Sequence, residues 1–303
     1  MRVLERALAA YVAAVDAEGL AAHGVNVLVG DETVEHRWRS DDRVDLHSVS
    51  KGVAALAVGM AVDEGLLALE TTAGELLPEL ATGRGCAAVT VRQLLTMTSG
   101  IDFAWFAQQP VPWPDIAGEM LGRDVTGTPG ATFQYSDAST YVVLRMLRAA
   151  TSVDVRDWLL PRLFEPLGID DPQWRRCPLG HPLGGSGLLL RTSELGRTAL
   201  LLRDEGAWQG RQLVSPRWIR AMHAADPVHP SWTATGAPSA SDFHHYGLAI
   251  WEGPADCWRL DGLYGQYVVI DAASAVAVAI TAHEEARDAR LVELVAEVLL
   301  PQL

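Results

Sequence analysis

The segment that decides the fold reads His47-Ser48-Val49-Ser50-Lys51 and runs directly into the apolar stretch GVAALAVGMAVDEGLL, residues 52–67. This stretch is apolar on nearly every face, which predicts a central buried helix. Ser48 and Lys51 are three residues apart, so at the start of a helix the Ser48 hydroxyl can meet the Lys51 amine. The N-terminus of the helix also favours negative charge that develops near Ser48.

Lys51 is the only lysine among the 24 basic residues of the chain. Arginine keeps its proton in proteins, whereas a partly buried lysine can release it. A serine hydroxyl becomes a good nucleophile when an adjacent base takes its proton, and a desolvated lysine with a lowered pKa can be that base. A codon bias toward arginine explains the missing lysines, and Ser48 is also a good helix N-cap. The pair alone therefore leaves catalysis and simple capping both open.

Composition and charge exclude several functions. The chain has 303 residues, a net charge of −14 and 49% apolar residues, which is typical of a globular protein. Because it has no basic stripe, we expect neither nucleic acid nor a membrane as a partner. Charged residues such as Glu5 and Asp16 interrupt the apolar N-terminal run. That pattern favours an amphipathic helix over a signal peptide, so we expect a cytoplasmic protein.

Predicted strands lie at both ends of the chain, and predicted helices fill the middle. Alternating or β-branched runs indicate strands of an antiparallel sheet at residues 25–29, 33–38, 246–251, 257–260, 264–270 and 275–281. Helical spacing indicates helices at residues 136–150, 153–163, 193–203, 216–221 and 286–300. We therefore expect an α/β domain made of residues 1–50 and 240–303, with a mainly helical domain of residues 51–239 inserted and the active site in the cleft between them.

Three further segments carry residues that a reaction could use. PGATFQYSD, residues 129–137, precedes a predicted helix, which places Tyr135 on a loop and Asp137 near the helix start, where Asp is also a good N-cap. DGLYGQY, residues 261–267, opens a strand, and its glycines permit close approach of the backbone to a ligand. Residues 184–187, GGSG, lack the following glycine of a G-x-S-x-G elbow and predict a loop that faces the cleft.

The order of three motifs resembles that of the serine β-lactamase-like family. The motifs are SVSK, TVRQLLTMTSGI at residues 90–101, and PGATFQYSD. That family includes class C β-lactamases, D-Ala-D-Ala carboxypeptidases, esterases and nylon-oligomer (6-aminohexanoate-dimer) hydrolases. The resemblance extends from about residue 25 to DGLYGQYVVID and looks closest to the nylon-oligomer hydrolase and esterase branch. It implies a β-lactamase/transpeptidase-like fold of α/β plus all-α type, in which an antiparallel sheet is flanked by helices and a mainly helical domain is inserted.

The resemblance implies a role for each matching residue. Ser48 would be the acylated nucleophile, and Lys51 would be the base or would keep the base deprotonated. Tyr135 would relay the proton to the leaving group. The backbone N–H of Ser48 and an N–H just after Gly262, that of Leu263, would form the oxyanion hole.

Two departures from the family pattern bear on the substrate. Asp137 replaces the family's asparagine, which adds negative charge and removes two donors. It would weaken a site that uses the amide to hold a substrate carbonyl or to orient the lysine, or it would instead raise the pKa of Lys51 or bind a cationic or amine-bearing substrate. Leu260 stands where the family has a basic residue, and Asp261 follows it. The missing cation argues against β-lactams and against peptides that end in free D-Ala.

We therefore expect a serine hydrolase that acts on a small-molecule ester or amide through an acyl-enzyme on Ser48. Two alternatives stay open: an acyltransferase of natural-product metabolism that uses the same acyl-enzyme, and a catalytically inactive binding protein. We expect no metal and no cofactor, because no ligand motif is present. The oxyanion or substrate-binding residues predicted are Asp137, Asp261, Gly262, Leu263, Gln266 and Trp105, the last with Trp113 and Trp232 beside an apolar acyl pocket.

Overall fold

The computed structural model of the chain describes residues 2–107, 110–224, 245–252 and 257–303. Within these ranges the strands are β1 (Ala22–Val29), β2 (Glu32–Arg37), β3 (Val44–Asp45), β4 (Gln173–Trp174), β5 (Leu188–Leu190), β6 (Ala207–Trp208), β7 (Arg211–Gln212), β8 (His245–Tyr246), β9 (Trp251–Glu252), β10 (Cys257–Gly262), β11 (Gln266–Asp271) and β12 (Val276–Ala282). The α-helices of the same ranges are α1 (Val3–Glu18), α2 (Ser50–Asp63), α3 (Ala73–Leu76), α4 (Val91–Leu95), α5 (Ile116–Leu121), α6 (Asp137–Thr151), α7 (Val155–Leu159), α8 (Thr192–Arg203), α9 (Pro216–Ala224) and α10 (Asp288–Leu294).

Strands from both ends of the chain form one antiparallel sheet. Its described part has the order β2-β1-β12-β11-β10-β9-β8, so β1 lies between β2 and the last strand of the chain. The register pairs Val27 with Val278 across β1 and β12. Every residue of β12 is buried, as expected for a strand that is covered on both faces. The predicted antiparallel sheet with flanking helices is confirmed.

The sheet separates two hydrophobic cores. Alternate side chains of a strand point to opposite faces, and β1 follows this rule. Val25 and Val27 pack with α1 and α10 on one face, whereas Leu28 joins the larger core around α2 and α6 on the other. Helix α2 is buried on all sides from Ser50 to Ala61, which confirms the prediction of a central buried helix.

The structure corrects the prediction of one continuous strand at residues 246–251. Tyr246 and Trp251 instead pair with each other across a tight hairpin of β8 and β9. The chain turns at Ala249, whose φ is +60°. The N–H of Ala249 bonds to the carbonyl oxygen of Leu95 at 3.1 Å and to that of Gly247, within the turn, at 3.0 Å. A tertiary contact therefore overrides the local β propensity here.

Other differences concern the lengths of elements. The predicted helix at residues 153–163 is α7 followed by a π-helical turn, Leu160–Phe164, and α10 likewise continues as a π-helical turn, Val295–Leu299. A three-stranded sheet of order β3-β5-β4 was not predicted from the sequence.

The division of the chain into two domains stays a prediction. No helix formed by the described residues is both long and apolar enough to cross a membrane.

Candidate active site

Ser48 lies in a 3₁₀ turn, His47–Val49, that leads directly into α2. His47 has a φ of +47°, a region that non-glycine residues occupy only when their surroundings hold them there. The Asp45 carboxylate provides that support, because its Oδ1 accepts the N–H of His47 at 2.8 Å and the N–H of Gly187 at 3.0 Å. Asp45 thus connects the turn that carries Ser48 to the loop of residues 184–187.

Lys51 lies beneath Ser48, with 1% of its side chain exposed. Its Nζ donates to Ser48 Oγ at 2.8 Å, to the carbonyl oxygen of Gly185 at 2.8 Å and to Asp137 Oδ1. An ammonium group has three N–H donors, and each of these three acceptors matches one of them. The predicted contact of the Ser48 hydroxyl with the Lys51 amine is therefore present.

The charges around Lys51 determine its protonation. Burial on its own lowers the pKa of Lys51, but attraction to the Asp137 carboxylate, with hydrogen bonds to Asp137 and Tyr135, outweighs it and raises that pKa above the ordinary value. Lys51 is accordingly an ammonium ion at neutral pH. From the sequence, the pKa of Lys51 could be lowered by desolvation or raised by Asp137. The structure supports the raised pKa.

Tyr135 is held between two aromatic side chains at the opening of the site. Its ring stacks on Trp251 of β9, with ring centroids 5.6 Å apart, and on Phe106, with centroids 6.2 Å apart. Such offset stacking fixes a ring beyond what burial of area alone does. Phe106 keeps 58% of its surface exposed, so it forms part of the rim.

The Tyr135 hydroxyl interacts with both Ser48 and Lys51. The Lys51 ammonium also lies 4.6 Å from the centroid of the Tyr135 ring. Burial raises the pKa of Tyr135, and the neighbouring ammonium offsets only part of that effect. The phenol therefore keeps its proton at neutral pH and is available as a donor to a leaving group.

Asp137 is the first residue of α6 and is buried. The N-cap of α6 is Ser136, whose side chain accepts the N–H of Ala138, so capping does not occupy the Asp137 carboxylate. Its Oδ1 accepts from Lys51, and its Oδ2 accepts the N–H of Ala107 at 2.7 Å. The carboxylate is therefore fixed on both oxygens.

The far wall of the site is the hairpin of β10 and β11. Asp261 forms an ion pair with Arg259 on the same face of β10, at 3.1 Å between Oδ2 and Nε. Burial raises the pKa of Asp261 although Arg259 opposes the shift. Gly262 packs against the Ser48 turn, because a Cβ at this position would lie 2.5 Å from the carbonyl oxygen of Leu46. The next residue, Leu263, is 54% exposed at the opening.

A cavity of about 340 Å³ lies over Ser48. Among the predicted site residues, the structure brings five into its wall: Ser48, Tyr135, Asp137, Asp261 and Leu263. Each of the three predicted segments, residues 129–137, 184–187 and 261–267, contributes at least one residue to this wall. The described wall also includes Asp288, and it contains three carboxylates and neither Lys nor Arg.

Gln266 does not lie in this wall. Its amide donates to the carbonyl oxygen of Ala282 at 2.7 Å and to that of Leu263 at 3.3 Å, and it accepts the N–H of Ala282 at 3.3 Å. These bonds tie the β11 end of the hairpin to β12. The structure thus places Gln266 behind the site, as a support for Leu263.

Trp105 also lies outside the wall, in the core beside Trp113, with ring centroids 6.0 Å apart. The backbone of Trp105 has a role nevertheless, because its carbonyl oxygen accepts the N–H of Asp137 at 2.8 Å. Trp113 packs in turn on Phe103 at 5.1 Å between centroids. The predicted acyl pocket of tryptophans is therefore not formed by these two residues, and Trp232 lies outside the described residues.

Sequence reasoning missed several wall residues, among them His47, Phe106, Trp251 and Asp288. The glycine-rich signal was informative, since Ser186 lines the cavity and Gly185 binds Lys51, which confirms the predicted position of that loop. No sequence pattern predicted that Trp251 would contact Tyr135, because the β8–β9 hairpin brings the two residues together.

Comparisons with known proteins point to one family. The family model described as beta-lactamase matches residues 4–300. The 6-aminohexanoate-dimer hydrolase of Paenarthrobacter ureafaciens is 28% identical over 271 residues, which cover 81% of this chain and 68% of that protein. The lovastatin esterase of Penicillium rubens is 27% identical over 195 residues, which cover 54% of this chain and only 48% of that protein.

Solved structures support the fold. A penicillin-binding protein homologue from Caulobacter crescentus superposes with a TM-score of 0.78 at 19% identity, covering 100% of this chain and 98% of that chain. At this identity the likeness concerns the fold alone. The match of the family model over nearly the whole chain goes further and confirms the resemblance seen in the motifs. The chain belongs to the beta-lactamase family, and it is a serine hydrolase of that family.

Proposed function

We propose that the protein hydrolyses a small-molecule ester or amide through an acyl-enzyme on Ser48. The observation that carries this proposal is the contact of Ser48 Oγ with Lys51 Nζ at 2.8 Å, at the base of a cavity that Tyr135 also lines. A nucleophile that touches a titratable group, itself oriented by further groups, is the arrangement nucleophilic catalysis requires. The names of the hydrolase and esterase relatives favour amide or ester bonds.

In this proposal Ser48 Oγ attacks the acyl carbon and the oxygen of the substrate carbonyl becomes negative. The N–H groups of Ser48 and Leu263 bind that oxygen, supported by the close packing of Gly262 on the Ser48 turn. Tyr135 donates its phenolic proton to the leaving group. Water then attacks the acyl-enzyme and releases the acid.

The charge of the wall limits the substrate. Three carboxylates and no Lys or Arg are present among its described residues, and the ranges outside the described part carry neither type. Lys51 pairs with Asp137 and Arg259 pairs with Asp261 behind the wall. A substrate carboxylate would therefore meet no Lys or Arg among the described wall residues and would lie near the Asp288 carboxylate, which disfavours its binding. We therefore propose a neutral or amine-bearing substrate rather than one that ends in a carboxylate.

Labelling with a fluorophosphonate tests the acyl-enzyme. Intact mass should show one adduct, peptide mapping should place it on Ser48, and the Ser48→Ala variant should show none. A folded wild-type protein without an adduct would instead indicate an inactive binding protein. Time courses with a p-nitrophenyl ester, with and without a small alcohol, test the acceptor. An acyl product formed on the alcohol much faster than acid is formed would make the protein an acyltransferase.

A further inference from the structure

Asp137 occupies a position that the proposed mechanism leaves unexplained, because it binds the same ammonium group that binds Ser48. We propose that Asp137 accepts the proton that Lys51 has to release before it can activate Ser48, so that Ser48, Lys51 and Asp137 form one proton relay. This inference rests on the proposed acyl-enzyme and assigns Asp137 as a positioning residue that acts through Lys51.

The first argument is a count of donors. A neutral amine has two N–H donors and one lone pair, whereas an ammonium ion has three donors and no lone pair. Lys51 Nζ donates to three oxygens, of Ser48, Gly185 and Asp137, and also contacts the Tyr135 hydroxyl, so its partners outnumber the two donors of a neutral amine. The site is therefore built for the ammonium form, and that form cannot accept the Ser48 proton.

The second argument is the choice of acceptor. Of the three oxygens around Nζ, the carbonyl oxygen of Gly185 is too weak a base, and the Ser48 hydroxyl is the group to be deprotonated. The remaining oxygen belongs to the Asp137 carboxylate. Tyr135 also contacts Lys51, but as a protonated phenol it has no free place for a second proton. Asp137 is therefore the contact of Lys51 that can take a proton.

The third argument is the environment. Lys51 is 1% exposed and the Asp137 side chain is 5% exposed. A buried ion pair loses the hydration of both charges, so when a transfer turns ammonium and carboxylate into amine and carboxylic acid, the end of that cost offsets part of the lost attraction. The N–H of Ala107 holds the second oxygen of Asp137 in place at 2.7 Å, so the carboxyl group keeps its position through the transfer.

The step balances in protons. The N–H bond of Lys51 that points to Asp137 breaks, and an O–H bond forms on Asp137. Rotation about the Cε–Nζ bond turns the lone pair to Ser48. The O–H bond of Ser48 then breaks, an N–H bond forms on Lys51, and Ser48 Oγ bonds to the acyl carbon while the carbonyl π bond breaks and its electron pair moves to the oxygen. That pair re-forms the carbonyl as the bond from the acyl carbon to the leaving group breaks and the leaving group takes the Tyr135 proton. Tyr135 regains a proton from Lys51, and Asp137 returns its proton to Lys51.

The single lysine of the chain makes a direct test possible. In protein labelled with [¹⁵N]lysine, the side-chain spectrum contains one lysine, Lys51. The Nζ signal of wild type should keep its ammonium shift throughout pH 7–10. In Asp137→Asn the carboxylate is gone and burial remains, so Lys51 should lose its proton at a lower pH than in wild type. An Asp137→Asn titration identical to wild type would contradict the proposal.

The pH profile of acylation then separates a relay from a structural role. The titratable groups that contact the relay or line the same cavity are Tyr135, Tyr246, His47, Asp261 and Asp288. Burial lowers the pKa of His47 and raises those of both tyrosines, so these three do not change charge between pH 7 and 9. Burial also raises the pKa of Asp261, and the ion pair with Arg259 opposes that rise. Wild type should show a flat kcat/KM in this range, because the proton stays inside the protein.

In Asp137→Asn, Lys51 has to release its proton to solvent, so kcat/KM should rise with pH below the new Lys51 pKa, by about tenfold per pH unit, and at pH 7 should be at least about tenfold below wild type. Asp137→Glu keeps a carboxylate and should restore the flat profile. A flat Asp137→Asn profile at the wild-type level would overturn the relay.

The pH profile of wild type alone can overturn the relay. A kcat/KM that rises tenfold per pH unit from pH 7 to 9 would show that Lys51 loses its proton to solvent. Labelling separates the two proposals. If wild type forms no fluorophosphonate adduct, both the acyl-enzyme and the relay fail. If it forms the adduct and its profile rises with pH, the relay alone fails.

Discussion

The side chain of Leu260 on β10 fills the space beside Gly52 on α2, since a Cβ on Gly52 would lie 2.5 Å from both methyl carbons of Leu260. Leu260 is buried, so it has little room to move. The contact holds α2 close to β10, the strand that leads to the proposed oxyanion donor of Leu263. The position at which the family resemblance implies a basic residue is therefore a packing position in this chain.

The first prediction concerns this contact. Gly52→Ala should push α2 away from β10, lower the free energy of unfolding by about 1–3 kcal/mol and reduce the rate of fluorophosphonate labelling of Ser48. Urea denaturation and labelling time courses measure the two effects. Leu260→Ala makes room for the new methyl group, so the Gly52→Ala change should cost less in both measurements when it is made in the Leu260→Ala background than when it is made in wild type. Equal costs of Gly52→Ala in the two backgrounds would contradict this explanation.

The second prediction concerns Lys51. Lys51→Arg keeps the charge and the ion pair with Asp137, but a guanidinium does not release its proton. Acylation should fall at least about a hundredfold, as expected when general-base catalysis is lost. Burst kinetics with a p-nitrophenyl ester measure this rate, and circular dichroism checks the fold. Turnover close to wild type in a folded variant would exclude Lys51 as the base.

The third prediction concerns the Tyr135 hydroxyl. Tyr135→Phe keeps the ring between Trp251 and Phe106, so KM should change little, while kcat should fall by about a hundredfold because the leaving group has no proton donor. Tyr141→Phe is a matched control, since it removes a buried phenolic hydroxyl that bonds to Cys177 outside the cavity. A rise in KM with unchanged kcat in Tyr135→Phe would mean that Tyr135 binds the substrate without donating a proton.

Local patterns predicted those parts of the site that depend on near neighbours in the chain. The contact of Ser48 with Lys51 follows from a spacing of three residues at a helix start, and the buried α2 follows from an apolar run. The sheet follows from alternation and β-branched residues at both ends of the chain.

Contacts between distant segments could not be predicted in this way. The Asp137 carboxylate sets the protonation of Lys51 from 86 positions along the chain. The amide of Gln266 is taken up by the backbone of Leu263 and Ala282, a bond that no local pattern reveals. Trp251 reaches Tyr135 because the chain reverses at Ala249, a residue with no turn preference that tertiary contacts hold at positive φ.

The fourth prediction concerns substrate charge. Between two p-nitrophenyl esters of equal chain length, the one whose acyl chain ends in a carboxylate should have a kcat/KM about tenfold below that of the neutral ester. The reason is that the described wall contains Asp288 and neither Lys nor Arg, while the cations behind it are paired with Asp137 and Asp261. Added salt should reduce the difference, and Asp288→Asn should reduce it as well. Preference for the anionic ester at low salt would show that a cation lines the wall in solution.

The fifth prediction concerns stability and involves a histidine outside the site. His223 on α9 packs edge-on against Trp258, with ring centroids 3.7 Å apart, and burial lowers its pKa to about 4 although Glu205 opposes the shift. The unfolded chain binds this proton near the ordinary histidine pKa of about 6.5. Below that pH the unfolded state therefore takes up a proton that the folded state refuses, and stability falls as the pH approaches 4.

Between pH 7 and pH 5 this one group should lower the free energy of unfolding by about 2 kcal/mol. Urea denaturation of wild type at several pH values in this range measures the dependence. His223→Gln has no titrating ring, so its free energy of unfolding should depend less on pH by about the same amount, whatever its value at pH 7. Parallel pH dependences in the two proteins would show that His223 takes up its proton as readily in the folded state as in the unfolded chain.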